Sequence, residues 1–210
     1  KERTQSYNRL QAIARDLGLP KGSMETKYFQ QLLRDAELSP SKAMRRDILF
    51  ETVDHLSERI LRIEQHLETE AVKDERVERL KSQPGVGNLT ALCLLHTVGD
   101  FGRFPKAKQV PAFVGLVPKN ESSGMQIKLG SISRAGSPLM RFMLGQAANT
   151  AVRRDERFKA FYKRLCKRKH KAVAKTAVAR KLMVKLTIML RDNITAEEFD
   201  LRGQDSGRQK

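Results

Sequence analysis

The chain has 210 residues, with 41 Lys and Arg against 24 Asp and Glu, so its net charge is 41 − 24 = +17 and its pI is near 10.2. An excess of this size favours a polyanionic partner, nucleic acid first, and a purely structural role leaves it without an account. No apolar run reaches membrane length, no signal peptide opens the chain, and Cys93 and Cys166 form neither a CxxC pair nor a disulfide framework, as expected of a cytoplasmic protein. The charge is also unevenly spread. Residues 51–78 mix both signs, whereas 153–185 are almost purely basic, which marks a binding face rather than general solubility.

The spacing predicts an all-α fold. Residues 1–19 read as a short basic helix with Leu10, Ile13, Ala14 and Leu17 on one face, ended by Gly18 and Pro20. A second helix follows around Tyr28, Phe29, Leu32 and Leu33. Ser39-Pro40 then places an N-cap and first-turn proline before a long helix. Its apolar residues Leu49, Val53, Leu56, Ile60, Ile63 and Leu67 are spaced 4, 3, 4, 3, 4, the a/d seam of a coiled-coil arm, intramolecular or dimerising, with an amphipathic helix packed on its own domain as the alternative and no Pro or Gly before Pro84. His55 and His66 lack metal-ligand spacing on this helix and read as solvated.

Pro84-Gly-Val-Gly87 breaks the helix, and an apolar helix through Leu89–Leu95 runs to Gly99-Asp100. Helix, Pro-Gly-Val-Gly, helix has the form of a helix-hairpin-helix, in which Gly85 and Gly87 let backbone approach a phosphate. Asp100 reads as a cap. Residues 105–114 are expected to form another short helix.

Residues 115–136 then have no helical or strand period, strand character being limited to Met125–Ile127 and Ile132. They set four hydroxyls (Ser122, Ser123, Ser131, Ser133) beside Lys119, Lys128 and Arg134. Ser137-Pro138 starts a helix rich in Leu, Met, Phe and Ala whose apolar face is interrupted by Arg141, placed either to snorkel outward or to meet an anion. After the basic region, 174–190 read as a final helix and 194–210 as a frayed polar tail. The expected organisation is an N-terminal helical segment (1–40), a coiled-coil arm (41–79), a compact helical domain (80–193) and the tail (194–210).

A serine attacks a phosphodiester only if something takes its proton and something stabilises charge at phosphorus. Lys119, Lys128, Arg134 and Arg141 serve the second need. For the first, no His lies near the loop and Glu121 is its one carboxylate, with no metal-binding carboxylate cluster nearby. The chain therefore reads as half of an active site, with no metal of its own.

Pro84-Gly-Val-Gly87 with Leu89-Thr-Ala91, Val98-Gly-Asp-Phe-Gly-Arg-Phe104, Phe113-Val-Gly-Leu-Val-Pro118, Ser123-Gly124, Ile132-Ser-Arg-Ala-Gly136 and Leu139-Met-Arg141 follow one another in a characteristic order. Over about residues 80–190 this resembles the C-terminal transposase domain of insertion-sequence family one-ten, the bridge-RNA-guided recombinases related to Piv-type DNA invertases. The resemblance implies a serine that becomes covalently joined to DNA, in a Ser-Gly pair just after Gly-Leu-x-Pro. Here that pair is Ser123-Gly124. Ser122 is its neighbour, and Ser133 falls in a later structural or DNA-positioning element. On the residues themselves, the expected nucleic-acid contacts are Gly85, Gly87, Lys119, Gly124, Lys128, Arg134 and Arg141.

Family members carry an N-terminal RuvC-like domain whose acidic residues bind magnesium. Nothing in this chain matches it, and the chain, opening on Lys1 without Met, reads as a piece of a longer protein. The expected partners are DNA, a guide (bridge) RNA and further copies of the chain, as a dimer or tetramer through the coiled coil, in a bacterial or archaeal cytoplasm at the nucleoid. The alternative from another class is a non-catalytic helix-hairpin-helix module whose loop serines only hydrogen-bond phosphates.

Overall fold

The computed structural model describes residues 1–120 and 129–205, and the fold is all-α, with one small hairpin. The helices are α1 (Glu2–Asp16), α2 (Lys27–Arg34), α3 (Pro40–Val72), α4 (Glu75–Lys81), α5 (Asn88–Val98), α6 (Val110–Phe113), α7 (Pro138–Arg154), α8 (Glu156–Cys166), α9 (Lys171–Arg191) and α10 (Ala196–Asp205). Strands β1 (Pro118–Asn120) and β2 (Leu129–Ile132) pair antiparallel, Pro118 opposite Ile132 and Asn120 opposite Leu129, with an irregularity between. Two compact units divide the chain, Lys1–His66 and Leu67–Lys210. The boundary between them falls inside α3.

In the first unit the apolar stripes of α1 (Leu10, Ile13, Ala14), α2 (Phe29, Leu33) and the start of α3 (Leu49, Phe50, Val53) share one core. Arg46 fastens the end of α2, its Nη1 donating to the carbonyls of Leu33 (3.3 Å), Arg34 (2.7 Å) and Ala36 (3.1 Å). Two of the six expected seam residues, Leu49 and Val53, are therefore spent inside this unit. Further along α3 the same stripe emerges: Ile60 is half-buried, and Leu61 and Ile63 are more than half exposed.

The long helix stops at Val72 instead of continuing toward Pro84. Asp74 takes extended backbone (φ −123°, ψ 105°), and its carboxylate accepts from the Arg76 amide, a side-chain cap that starts α4 without Pro or Gly. In the second unit, α7 and α9 face each other across the core. Leu144, Ala147, Ala148 and Ala151 of α7 pack in one cluster with Val178, Leu182, Met183 and Leu186 of α9. The small alanines on α7 allow its close approach. Ser137 caps α7 by accepting from the Met140 amide, with Pro138 at the first helical position.

Three further expectations change. Residues 105–114 form a 3₁₀ turn (Ala107–Gln109) and the four-residue α6 rather than one helix, Pro111 sitting in its first turn. The central interval is entered and left by β1 and β2, while the strand character expected at Met125–Ile127 lies outside the described residues. The polar tail contains α10, which is tied down rather than frayed. Asp200 accepts from Arg157 Nη1 (2.9 Å) and from Lys185 Nζ (3.0 Å), and Lys185 is almost wholly buried on α9.

Candidate nucleic-acid interface

The roots of the central hairpin are held backbone to backbone. Gly115 (φ +75°) and Gly136 (φ +77°) both occupy the left-handed region. A Cβ on Gly115 would overlap the Ala135 carbonyl oxygen, and one on Gly136 would overlap that of Phe113. Only glycine permits this interlock of two chain segments. Hydrogen bonds from Ser133 N to Val117 O (2.8 Å) and Arg134 N to Gly115 O (3.3 Å) join the same segments.

Arg141, reaching back from the first turns of α7, completes the joint. Its Nη1 donates to the carbonyls of Val114 (3.1 Å), Ala135 (2.9 Å) and Gly136 (3.2 Å). Of the two placements that sequence left open for this side chain, the structure shows an internal one, the anion-like partner being a ring of carbonyl dipoles. The guanidinium also lines the groove described below.

The other expected site residues distribute as follows. Ser122, Ser123, Gly124 and Lys128 lie outside the described residues. Lys119 is exposed on β1, and Arg134 is exposed at the foot of β2 in the left-handed conformation (φ 56°). The hydroxyl of Ser133 is enclosed by protein and has no hydrogen-bond partner among the described residues. Gly85 (φ +99°) packs against α7, where a Cβ would lie 2.5 Å from the Ala147 carbonyl oxygen. Gly87 instead faces open space as the N-cap of α5, and the first intrahelical bond runs from Ala91 N to its carbonyl (2.9 Å). The amides of residues 88–90 therefore precede the first backbone bond of the helix. Asp100 caps a 3₁₀ turn by accepting from Gly102 N (2.8 Å), and Arg103 lies against the rings of Phe104 (4.8 Å) and Phe113 (4.7 Å).

Sequence reasoning missed a groove along α7. One concavity of about 500 Å³ is lined by Thr90, Gln146, Asn149, Arg153, Tyr162 and Lys175 among others. A second, of about 430 Å³, continues it toward the hairpin past Arg134, Arg141 and Phe142, sharing Gln146, Asn149 and Lys175 with the first. The polar residues Gln146, Asn149 and Arg153 recur at i, i+3 and i+7, one face of α7, and that period was the available signal. The Tyr162 hydroxyl is held above its ordinary pKa, chiefly by a hydrogen bond with Cys166 one turn on, so it stays a neutral phenol.

Two sets of cations in the second unit differ in their partners. Arg157, Lys159 and Lys185 pair with Asp200, Glu156 and Asp200. Arg134, Arg153 and Lys175 are exposed and have no ion pair among the described residues. Together with the groove they form a surface that attracts phosphate and meets no carboxylate among its lining residues.

The second unit is thus an all-helical domain that sets a cation-lined groove beside a glycine-locked hairpin. Residues 77–163 match the Transposase IS116/IS110/IS902 family, and the chain carries a domain of that family. It is 31% identical over 158 residues to the transposase for insertion sequence element IS1111A of Coxiella burnetii, covering 73% of this chain and 43% of that protein. Similarity to the transposase for IS1328 of Yersinia enterocolitica is 29% over 188 residues (87% of this chain, 56% of that protein). The pilin gene-inverting protein of Moraxella bovis is 33% identical over 132 residues (61% and 40%). The chain thus spans about half the length of these relatives.

Proposed function

We propose that this chain is the serine-bearing part of a transposase, acting on DNA in transposition or site-specific recombination. The observation that carries the reading is the family match over 77–163, which contains Gly115-Leu-Val-Pro118 and Ser123-Gly124. The rigid hairpin roots support it, because a nucleophile must be held in place by its scaffold. In this reading Ser123 Oγ bonds to a DNA phosphorus as the bond to the departing sugar oxygen breaks. The hydroxyl proton passes to a base on another domain, and the departing oxygen is protonated in turn. Lys119, Lys128 and Arg134 offset charge at the phosphate, and Gly124 allows its close approach.

Among the described residues no group of three His, Cys, Asp or Glu side chains is placed to hold a metal ion. Magnesium, which the family resemblance assigns to a RuvC-like domain, does not fit these residues, and no step here runs through it. The same reading gives sequence choice to a guide RNA and backbone binding to the unpaired cations. The turn joining α4 to α5 acts as a helix-hairpin-helix, with Gly87 toward a phosphate. It also pairs the emergent α3 stripe (Leu56, Ile60, Ile63) with a second copy of the chain, at the nucleoid of a bacterial or archaeal cell.

The test supplies the acidic domain in the same polypeptide and measures strand cleavage and covalent protein–DNA adduct. Ser123→Ala should abolish both while DNA binding persists. Cleavage that survives the substitution rejects the assignment, and binding without adduct in the unmutated protein favours a non-catalytic module.

A further inference from the structure

The two concavities along α7 form one continuous groove, and its chemistry is more selective than a general basic patch. Neither lining contains an Asp or Glu, whereas Arg153, Lys175 and Arg134 follow one another along it. An aromatic ring stands in each part: Tyr162 in the first and Phe142, more than half exposed, in the second. Between them lie the amides of Gln146 and Asn149, which line both parts. The side-chain oxygen of Asn149 has no hydrogen-bond partner among the described residues. That oxygen is enclosed by the protein, so Gln146, which is exposed, is the amide that meets an incoming group without rearrangement.

A phosphate group has only acceptors to offer and suits the cations alone. A nucleobase brings donors and acceptors on its edge and a face that stacks, and so uses the amides and rings as well. A double helix hides those faces in its stack and those edges in its pairs, and it presents phosphates along a convex cylinder. Its bases do not enter a concavity of this size. Cations tracking a backbone, with aromatic rings at intervals, are the combination that single-stranded nucleic acid requires.

We propose that the groove from Thr90 past Asn149 and Lys175 to Phe142 binds a single nucleic-acid strand, stacking bases on Tyr162 and Phe142 and holding the backbone on Arg153, Lys175 and Arg134. The inference deepens the transposase reading by naming the strand state of its ligand, and it needs no chemistry from Ser123.

The experiment measures fluorescence anisotropy of the 210-residue chain with labelled oligonucleotides of about a dozen nucleotides, the size a groove of this kind covers. Single-stranded DNA, single-stranded RNA and a blunt duplex of the same sequence are compared at several salt concentrations. Both mutated side chains are exposed, so folding is not at stake. Phe142→Ala should weaken single-strand binding by about fivefold or more and leave duplex binding unchanged. Lys175→Gln should lower the single-strand salt slope by about 0.7. The DNA and RNA arms distinguish the source of the strand, and stronger binding of either than of the duplex fits the proposal. Equal loss on strand and duplex, or no loss on the single strand, overturns it. Ser123→Ala should leave this binding intact, so an inactive serine and an empty groove give different results.

Discussion

Arg141 offers the sharpest test of how the hairpin is held. Its Nη1 carries two protons and faces three carbonyl oxygens at 2.9–3.2 Å, so at most two full-strength bonds are made at once. A hydrogen bond involving a charged group contributes about 1.5–3 kcal/mol. Ala135 and Gly136 are exposed and can turn their carbonyls to water, whereas Val114 is buried. Arg141→Ala should therefore cost about 2–3 kcal/mol, near the low end of two such bonds. For a domain of this size that lowers Tm by roughly 5–10 °C. Scanning calorimetry measures the stability, and the salt dependence of duplex DNA binding separates the clamp from a phosphate contact. A clamp lowers Tm and leaves the slope of log K against log salt unchanged. An Arg that binds phosphate leaves Tm unchanged and takes about 0.9 from the slope. That second pattern would refute the internal role argued from the three carbonyls.

Two further predictions concern charge inside the second unit. Lys185 is buried beside Asp200 (3.0 Å) and Asp155 (3.8 Å). Asp200→Ala leaves an enclosed ammonium with one distant partner and should cost about 3 kcal/mol, whereas Lys185→Met removes the ammonium and leaves Asp200 on Arg157 and Asp155 on the amides of Arg157 and Phe158, so it should cost less than Asp200→Ala. Denaturant unfolding compares the two, and equal losses would show that stranding the charge is not what destabilises. The Asp74 carboxyl is held below its ordinary pKa, first by its hydrogen bond with the Arg76 side chain. A depressed carboxylate gives stability that is complete above its unfolded pKa, near 3.9, and lost as pH falls through the lower folded value. Thermal melts between about pH 5 and pH 2 should therefore show a steeper acid loss for the unmutated protein than for Asp74→Asn; parallel curves would remove Asp74 from the acid response.

The elements that sequence made legible were those with a strong local signal. Ser137-Pro138 opened α7 because a hydroxyl cap and a fixed φ act within one turn, and the i, i+4 stripe of α9 announced its buried face. The break after Val72 was not legible from Pro and Gly alone, because Asp74 stops the helix by capping the next one. α10 looked like a solvated tail because its hold on the fold rests on Asp200, a charged residue whose partners Arg157 and Lys185 stand 43 and 15 positions away. Such pairing has no sequence period. Arg141 was visible as an anomaly on an apolar face, but its three acceptors come from two segments brought together by Gly115 and Gly136. The groove as a whole has no signature in the sequence because Lys175 and Asn149 sit on different helices and meet only through packing.

These placements divide the positive charge into cations that fasten the fold and cations that face solvent. α9 buries Lys185 on one side, where two carboxylates and the rings of Phe158 (5.9 Å) and Phe199 (5.4 Å) surround its ammonium. Ten residues earlier the same helix exposes Lys175 to the groove with no carboxylate in the lining. The first cation fastens α10 to the core, and its loss is felt as stability. The second has no ion pair among the described residues, so its neutralisation should leave the fold intact and change only what the groove attracts. Like charges at Arg153, Lys175 and Arg134 repel one another along a surface that the fold does not need them to line. That arrangement is stable against self-repulsion only modestly in water, and it becomes favourable when a polyanion lies along it and releases its own counterions.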